Sequence, residues 1–244
     1  MSETAQALLR LEDFRLVLEE NDDPLSVKAG QLLLPGEMEI YLNRLAKELD
    51  APIPAAGSLF IKRYSFLAVI YLYSLTAGNC RLDISLPNIT VVSAYKNGMW
   101  LPGFYLKNTG YVQTESDPRE NGREDCFRAM LSEHMHILLE RVSKAAGVSR
   151  YILWENIAVY IYWLYESVLA DEHDEVKARG ADDFACLLGL PGNFFGMKDN
   201  PLKKYHSPEK GARMRKTCCL SNLIDDSMRC TTCPKSCRLS ERGV

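Results

Sequence analysis

Four cysteines lie within sixteen positions near the end of the chain: Cys218-Cys219, then Cys230 after ten residues and Cys233 after two more. A fifth, Cys237, follows four positions later, so five of the eight cysteines fall in the last 27 residues. Thiols clustered in this way form disulfides, bind a metal ion or hold a metal cluster. The spacing of the thiols and the character of the rest of the chain bear on which of these chemistries applies.

The spacing fits some metal sites better than others. Cys230-x₂-Cys233 has the spacing of half a structural zinc site. The vicinal pair Cys218-Cys219 does not, because neighbouring side chains diverge along the backbone. A [2Fe–2S] core is larger and takes thiolates from two directions, while a [4Fe–4S] ferredoxin run would need a further Cys-x₂ before Cys230. From the residues alone, an iron–sulfur cluster, a zinc ion and redox-active thiols or a disulfide all stay open.

The N-terminal part of the chain bears on the cellular compartment. Residues 1–25 carry acidic side chains throughout and no uninterrupted apolar stretch, so no secretory signal is visible. The longest apolar run, Phe66 to Tyr73, is too short for a membrane span of about twenty residues. We therefore expect a cytoplasmic protein, in which clustered thiols are more often metal ligands than disulfides.

Charge is unevenly distributed along the chain. From Lys203 to Val244 there are ten basic and four acidic residues, whereas the preceding part carries nineteen basic and twenty-eight acidic ones. A basic tail is typical of proteins that bind nucleic acid or an anionic membrane surface. The acidic body would repel phosphate, however, and no helix-turn-helix signal accompanies the tail, so we predict no nucleic-acid partner. Basic residues beside the thiols could instead offset the negative charge of a thiolate-ligated cluster.

Apolar periodicity predicts an α+β protein, mostly helical, with one small antiparallel sheet and a C-terminal iron–sulfur or other metal-bearing appendage. The sheet is expected between residues 81 and 106, with a tight hairpin at Asn97-Gly98. We divide the chain into a body, residues 1–212, and a metal-binding segment, residues 213–244. Helices are predicted near residues 5–20, 37–49, 58–76, 127–145, 150–168 and 182–190.

The cysteine pattern resembles that of ferric siderophore reductases of the ferric hydroxamate reductase (FhuF-like) type. Arg215-Lys216-Thr217-Cys218-Cys219 looks like the family's Arg-Arg-Thr-Cys-Cys. Asp199-Asn200-Pro201-Leu202 and Ile152-Leu153-Trp154-Glu155-Asn156 are also similar to the family. The resemblance covers roughly the last 90–100 residues and none of the first 110. Cys237 is a departure from the family pattern.

The resemblance implies a cofactor and a reaction. Cys218, Cys219, Cys230 and Cys233 would hold a [2Fe–2S] cluster. The protein would use it to reduce an imported ferric siderophore by one electron and release Fe²⁺ in the cytoplasm. Fe²⁺ binds the hard oxygen donors of a siderophore less strongly than Fe³⁺, so reduction frees the metal. No catalytic residue beyond the cluster is expected.

Partners follow from this reading. The substrate would be a siderophore of the hydroxamate or mixed carboxylate type, and a ferredoxin or flavoprotein would supply electrons. Peripheral membrane association is compatible with the basic tail. Arg213, Arg215 and Lys216 are the predicted substrate contacts, with a solvated basic run as the alternative. The rival function is an iron–sulfur or zinc-bearing regulatory or interaction protein.

Several other residues have chemistry that the function does not require. We interpret His134 as a buried, hydrogen-bonded histidine, since it lies on the apolar face of its helix. Three cysteines in apolar segments are expected to be core thiols, and the three tryptophans are expected to be core residues more often than pocket walls. These residues are Cys80, Cys126 and Cys186, and Trp100, Trp154 and Trp163.

Overall fold

The computed structural model describes residues 3–113, 122–207, 214–225, 230 and 232–234. Helices dominate this part of the chain, as predicted, and small sheets complete an α+β fold. The α-helices are α1 (Glu3–Arg10), α2 (Glu37–Glu48), α3 (Ile53–Thr76), α4 (Arg123–Met130), α5 (His136–Ala146), α6 (Arg150–Trp163), α7 (Asp174–Gly189) and α8 (Pro201–Tyr205). Short 3₁₀ segments include Leu11–Phe14 and Ser221–Leu223, and π-helical turns at Leu131–Met135 and Leu164–Val168 extend their neighbouring helices.

Helix α3 forms the centre of the core. Its sequence is apolar nearly all round, and every residue from Ala55 to Thr76 except Lys62 and Arg63 is buried. It packs most extensively against α6, and also against α2 and α5. Gly57 permits the close approach of α5, because a Cβ there would lie 2.5 Å from the Cβ of Ala146. The helix is therefore a buried scaffold whose polar positions near Lys62 and Arg63 reach the protein surface.

Three small sheets cover the core. The largest has the strand order β1–β7–β4–β2, formed by Leu16–Val17, Gly103–Leu106, Ile89–Val92 and Val27–Lys28. Strand β3 (Cys80–Leu82) pairs with β8 (Tyr111–Gln113), and β5 (Tyr95–Lys96) pairs with β6 (Met99–Trp100) across the predicted Asn97-Gly98 turn. All of these pairs are antiparallel except β1 with β7, which are parallel.

Two local predictions differ from the structure. The helix expected over residues 5–20 ends earlier, because Arg15 adopts a left-handed conformation and β1 then joins the sheet. The single antiparallel sheet is instead a mixed sheet plus two hairpin-like pairs, because β1 and β2 contribute strands from outside residues 81–106. Both of these strands have only two residues, too few for a period-two pattern to be recognised.

Among the residues that the structure describes, one helix has the length and apolar composition of a membrane span. This is α3, and 78% of its most apolar window is buried inside the protein. Such burial is typical of a core helix, and it agrees with the predicted central helix over residues 58–76.

Candidate metal centre

The cysteine-bearing segment packs on the body through buried polar residues of α3 and α6. Ser58 donates a hydrogen bond of 2.7 Å from its hydroxyl to the carbonyl oxygen of Cys219. The amide of Asn156 lies 3.0 Å from both the carbonyl and the hydroxyl oxygen of Ser58. Arg215 donates to the Asn156 side-chain oxygen at 2.6 Å. A continuous buried network thus joins the first turns of α3 to the residues that flank the vicinal cysteines.

Glu155 is the second anchor of this segment. Its carboxylate is buried and accepts hydrogen bonds from the backbone amides of Lys216 at 2.7 Å and Thr217 at 2.8 Å. The hydroxyl of Thr217 also donates to it, and the Arg215 Nε lies 3.7 Å from the same carboxylate. A buried charge needs such partners, because it has lost its hydration. Glu155 therefore fixes the backbone that leads directly into Cys218 and Cys219.

The two halves of the cysteine motif meet through the backbone. Arg215 donates its amide to the carbonyl of Thr232 at 3.0 Å, and the amide of Cys233 donates to the carbonyl of Cys230 at 3.0 Å. The second bond closes the turn expected for a Cys-x₂-Cys pair. Residues 215–219 and 230–233 are consequently neighbours, although ten residues separate Cys219 from Cys230.

The structure brings two of the predicted ligand thiols together. Cys219 and Cys230 share a hydrogen bond that lowers the pKa of the Cys219 thiol and raises that of Cys230. The Ser221 hydroxyl, 3.2 Å from the Cys219 sulfur, and the Lys62 ammonium also favour the Cys219 thiolate. The thiolate is the form that binds metals.

The other two predicted ligand thiols are placed differently. Cys233 is buried, whereas Cys218 is partly exposed and donates to the Asn222 side-chain oxygen at 3.4 Å. In the part of the chain that the structure describes, no three His, Cys, Asp or Glu side chains lie close enough together to hold a metal ion. The full four-thiolate set therefore stays a prediction.

The chemistry of the donors fits an iron–sulfur cluster. All seven cysteines that the structure describes are free thiols, so no disulfide consumes the motif in these residues. Thiolates are the usual ligands of [2Fe–2S] clusters. Cys237 lies outside the described residues. We conclude that the motif offers the right ligand type on one short segment fixed to the body.

Comparison with known families identifies the chain. Residues 58–242 match the family model described as "Ferric iron reductase FhuF-like transporter". The chain belongs to the FhuF-like ferric iron reductase family. No curated protein matches the chain. The match begins at Ser58, so the FhuF-like region also includes most of α3 and extends well beyond the last 90–100 residues that carry the sequence resemblance.

The three predicted substrate contacts of the FhuF-like protein differ in their exposure and in their contacts. Arg213 lies outside the described residues. Arg215 is only 6% exposed and is already paired with Glu155 and Asn156. Lys216 is exposed, and its ammonium donates to the carbonyl of Lys204 at 2.6 Å. Their role in substrate binding stays a prediction, whereas the structural role of Arg215 is evident from its contacts.

Two structural residues of the FhuF-like site carried a signal in the sequence. Glu155 and Asn156 belong to the Ile152–Asn156 motif, which resembled the family but suggested no role. Both residues lie inside an apolar helical stripe, where a charged or an amide side chain is unusual. This position is the sequence feature that indicates a structural role for Glu155 and Asn156. Ser58 gave no such signal, because a serine in a buried helix is common and its partner is 161 positions away.

The remaining residues named in the sequence analysis lie where they were predicted, except Cys186 and Trp163. His134 is buried, with Nδ1 2.6 Å from the Ile84 carbonyl and Nε2 2.8 Å from the Tyr64 hydroxyl. Cys80 and Cys126 are core thiols, and Cys186 is half-buried. Trp100 and Trp154 are core residues, but Trp163 is 39% exposed. Trp163 borders a cavity of about 180 Å³ between α6 and the cysteine segment, which Arg215 and Thr232 also line.

Proposed function

We propose that this protein reduces the Fe³⁺ of a ferric siderophore to Fe²⁺ by one electron, using a [2Fe–2S] cluster held by Cys218, Cys219, Cys230 and Cys233. Membership in a ferric iron reductase family supports the reaction. The observation that most supports the site is the fixation of the Cys218-Cys219 backbone by Glu155, Ser58 and Asn156, next to the Cys230-x₂-Cys233 turn.

The protein residues would hold and tune the redox centre. When bound, a [2Fe–2S] cluster supplies a one-electron carrier. Ser221, next to Cys219, offers a hydroxyl hydrogen bond to sulfur, which is one of the levers that sets a cluster's potential. Burial of Cys219 and Cys233 limits water at the thiolates. Lys62 and Arg63 place positive charge beside Cys219, which offsets the negative charge of thiolate ligands.

The overall reaction needs no proton transfer or covalent intermediate. One electron enters from a donor, which we propose to be a ferredoxin or a flavoprotein, and passes to the chelated Fe³⁺. The resulting Fe²⁺ is held less tightly by hard oxygen donors and is released, in our proposal, into the cytoplasm. Peripheral membrane association would bring the protein near an importer, and it is part of the same proposal.

The proposal is tested on anaerobically purified protein. We expect a red-brown preparation with about two irons and two acid-labile sulfides per chain. Dithionite should bleach it. A ferric siderophore should then restore the colour, while a ferrous-specific chelator traps Fe²⁺ in equal amount. A colourless protein with one zinc per chain would instead establish the zinc-bearing alternative. A cluster that no ferric chelate reoxidises would favour a regulatory protein.

A further inference from the structure

Two arginines from distant parts of the sequence lie within electrostatic range of each other, and one of them, Arg63, is also within range of Cys219. Arg15 follows the 3₁₀ turn Leu11–Phe14, and Arg63 lies on α3. Burial and the neighbouring Arg63 charge lower the pKa of Arg15 to about 10. The Arg15 Nη1 and the Arg63 Nε are buried and have no hydrogen-bond partner, and no carboxylate in the described part of the chain forms an ion pair with either guanidinium. Two neighbouring positive charges that no carboxylate of these residues pairs with favour the binding of an anion.

These cations lie beside the cysteine segment. Burial lowers the pKa of Arg63, while Tyr160 and the Cys219 thiol next to it favour its charged form. Lys62, the preceding residue, carries a positive charge that lowers the pKa of the Cys219 thiol. Arg63 is five residues beyond Ser58, which binds the Cys219 carbonyl, and this is about 8 Å along the helix.

Aromatic rings form the wall of this cationic surface. The Arg15 guanidinium stacks on the ring of Phe66 at 3.7 Å. The Phe66 ring lies 4.9 Å from that of Tyr160 and 6.1 Å from that of Trp163. Trp163, the exposed tryptophan, also contacts Phe14, which precedes Arg15. Flat rings and fixed guanidinium groups thus share one surface, and stacking leaves the polar edge of a guanidinium free to bind oxygen.

The backbone holds Arg15 in a conformation that is costly for any residue other than glycine. Its φ is 74°, its amide donates to the Glu12 carbonyl at 2.9 Å, and its carbonyl accepts from Phe104 at 2.8 Å. Gly103 allows this approach, because a Cβ there would lie 3.0 Å from the Arg15 carbonyl oxygen. Non-glycine residues in such conformations often belong to functional sites. A glycine would fit the turn more easily, so the side chain itself is the feature to be explained.

A separate cavity is a poorer candidate for the substrate site. It has a volume of about 580 Å³ and is lined in part by Tyr71 and His134. Tyr71 is thirteen residues beyond Ser58 on α3, which corresponds to about 20 Å. The cationic surface is closer to the cysteines. It also carries a cluster of positive charges that has no equivalent in the cavity.

We propose that Arg15, Lys62 and Arg63, with the wall of Phe66, Tyr160 and Trp163, bind an anionic ferric chelate that carries carboxylate groups. This inference rests on the proposed function and adds its substrate class. The guanidinium fork matches the two oxygens of a carboxylate. A tris-hydroxamate chelate is neutral at its metal centre, and one with a free ammonium is cationic, so it gains nothing from these three charges.

Binding of gallium(III) chelates tests the inference without redox turnover, because Ga³⁺ resembles Fe³⁺ in charge and size but is not reduced. The probes are the anionic gallium(III) dicitrate and the cationic gallium(III) desferrioxamine B, and binding to the full chain is measured by calorimetry and by intrinsic tryptophan emission. Arg15→Gln and Arg63→Gln should each weaken binding of the dicitrate by about tenfold. The matched control is Arg128→Gln, since Arg128 is also stacked, 4.4 Å over Phe194, on α4. It should leave binding unchanged.

Further measurements separate the alternatives. Arg15→Lys and Arg63→Lys keep the charge but lose the fork, and should retain part of the affinity. In the wild type, rising salt should weaken binding of the dicitrate and not of the cationic chelate. Equal binding of the two probes, or full affinity in the Gln variants, would overturn the inference while turnover of another chelate could still support the reductase. If Arg63→Gln lost iron and sulfide but kept dicitrate binding, Arg63 would serve the cluster and the inference would be wrong.

Discussion

Ser58, at the start of the buried part of α3, donates a 2.7 Å hydrogen bond to the backbone carbonyl of Cys219. The same serine lies within hydrogen-bond distance of Asn156 on α6. One small side chain therefore connects the two central helices to a predicted cluster ligand. The position of the vicinal cysteines depends on the packing of the core and not only on the cysteine segment.

The first prediction concerns Ser58→Ala. This change removes the donor to Cys219 and leaves a buried carbonyl and a buried amide short of a partner, which costs about 1–3 kcal/mol of unfolding free energy. Urea denaturation measures the loss, and iron and sulfide content should fall with it. Ser65→Ala is the matched control, because Ser65 is equally buried on α3 but bonds only to the Ile61 carbonyl of its own helix. An equal loss in both variants would contradict the role of Ser58.

The second prediction concerns Glu155→Gln. The substitution leaves the buried Arg215 charge without its carboxylate, and removing one partner of a buried pair costs about 3–5 kcal/mol. We expect a lower urea midpoint and loss of cluster, measured as iron and sulfide per chain. Glu140→Gln breaks a pair with Arg150 whose side chains are each 42% exposed, and should cost less than about 1 kcal/mol. A Glu155 variant as stable and as rich in iron as the Glu140 variant would refute this anchor role.

Much of the fold could be predicted from the sequence because its helices are long and strongly periodic. The helix expected over residues 58–76 is α3, and the helix expected over residues 150–168 begins as α6, which Ser149 caps by accepting from the Tyr151 amide. The two-residue strands β1 and β2 were not predicted. Pairing of Leu16–Val17 with Phe104–Tyr105 joins residues almost ninety positions apart, and a two-residue strand leaves no local pattern.

The candidate site was predictable only in part. The cysteines could be recognised from their spacing, since few residue types other than cysteine form such motifs. The surrounding residues did not, because their roles arise from long-range contacts. Arg215 looked like a free cation in a basic run, but the fold places a carboxylate and an amide against it. Arg15 and Arg63 are 48 positions apart and had no shared motif, so only the packed structure makes them neighbours.

The third prediction concerns pH. Burial lowers the pKa of His134 to about 4, below its usual value of 6.5, and the hydrogen bond to the Ile84 carbonyl, which favours the charged form, offsets only part of this effect. Between these two values the unfolded chain binds a proton that the folded chain does not, so stability rises with pH in this range. On acidification from pH 6.5 to 4 the protein should therefore lose about 3 kcal/mol from this group.

His134→Gln tests this assignment. Glutamine does not titrate, so the slope of unfolding free energy against pH between 6.5 and 4 should decrease in urea titrations at several pH values. Tyr64→Phe is the control, because it removes one hydrogen bond and keeps the imidazole buried. It should lower stability by about 1 kcal/mol at all these pH values and leave the slope in place. An unchanged slope in His134→Gln would assign the acid sensitivity to other groups.

The last prediction concerns the identity of the four ligands. Cys219 and Cys230 are hydrogen-bonded to each other, so they are the pair most directly placed to share a metal site. A serine oxygen is a poorer ligand than a thiolate for iron–sulfur clusters. Cys219→Ser and Cys230→Ser should therefore lose most of the iron and sulfide, as measured by analysis of anaerobically purified protein and by visible absorption. Cys186→Ser, in a half-buried thiol of α7, is the control and should keep the cluster.

Cys237 decides whether the family pattern applies at every position. Four thiolates already satisfy a [2Fe–2S] core, so Cys237→Ser should keep nearly all of the cluster, whereas Cys218→Ser should lose it. Cys218 is the most informative partner for this comparison, because its sulfur is directed to the Asn222 side chain and not to Cys219 or Cys230. If Cys218→Ser retained the cluster and Cys237→Ser lost it, the ligands would be Cys219, Cys230, Cys233 and Cys237. The vicinal pair would then contribute one thiolate instead of two.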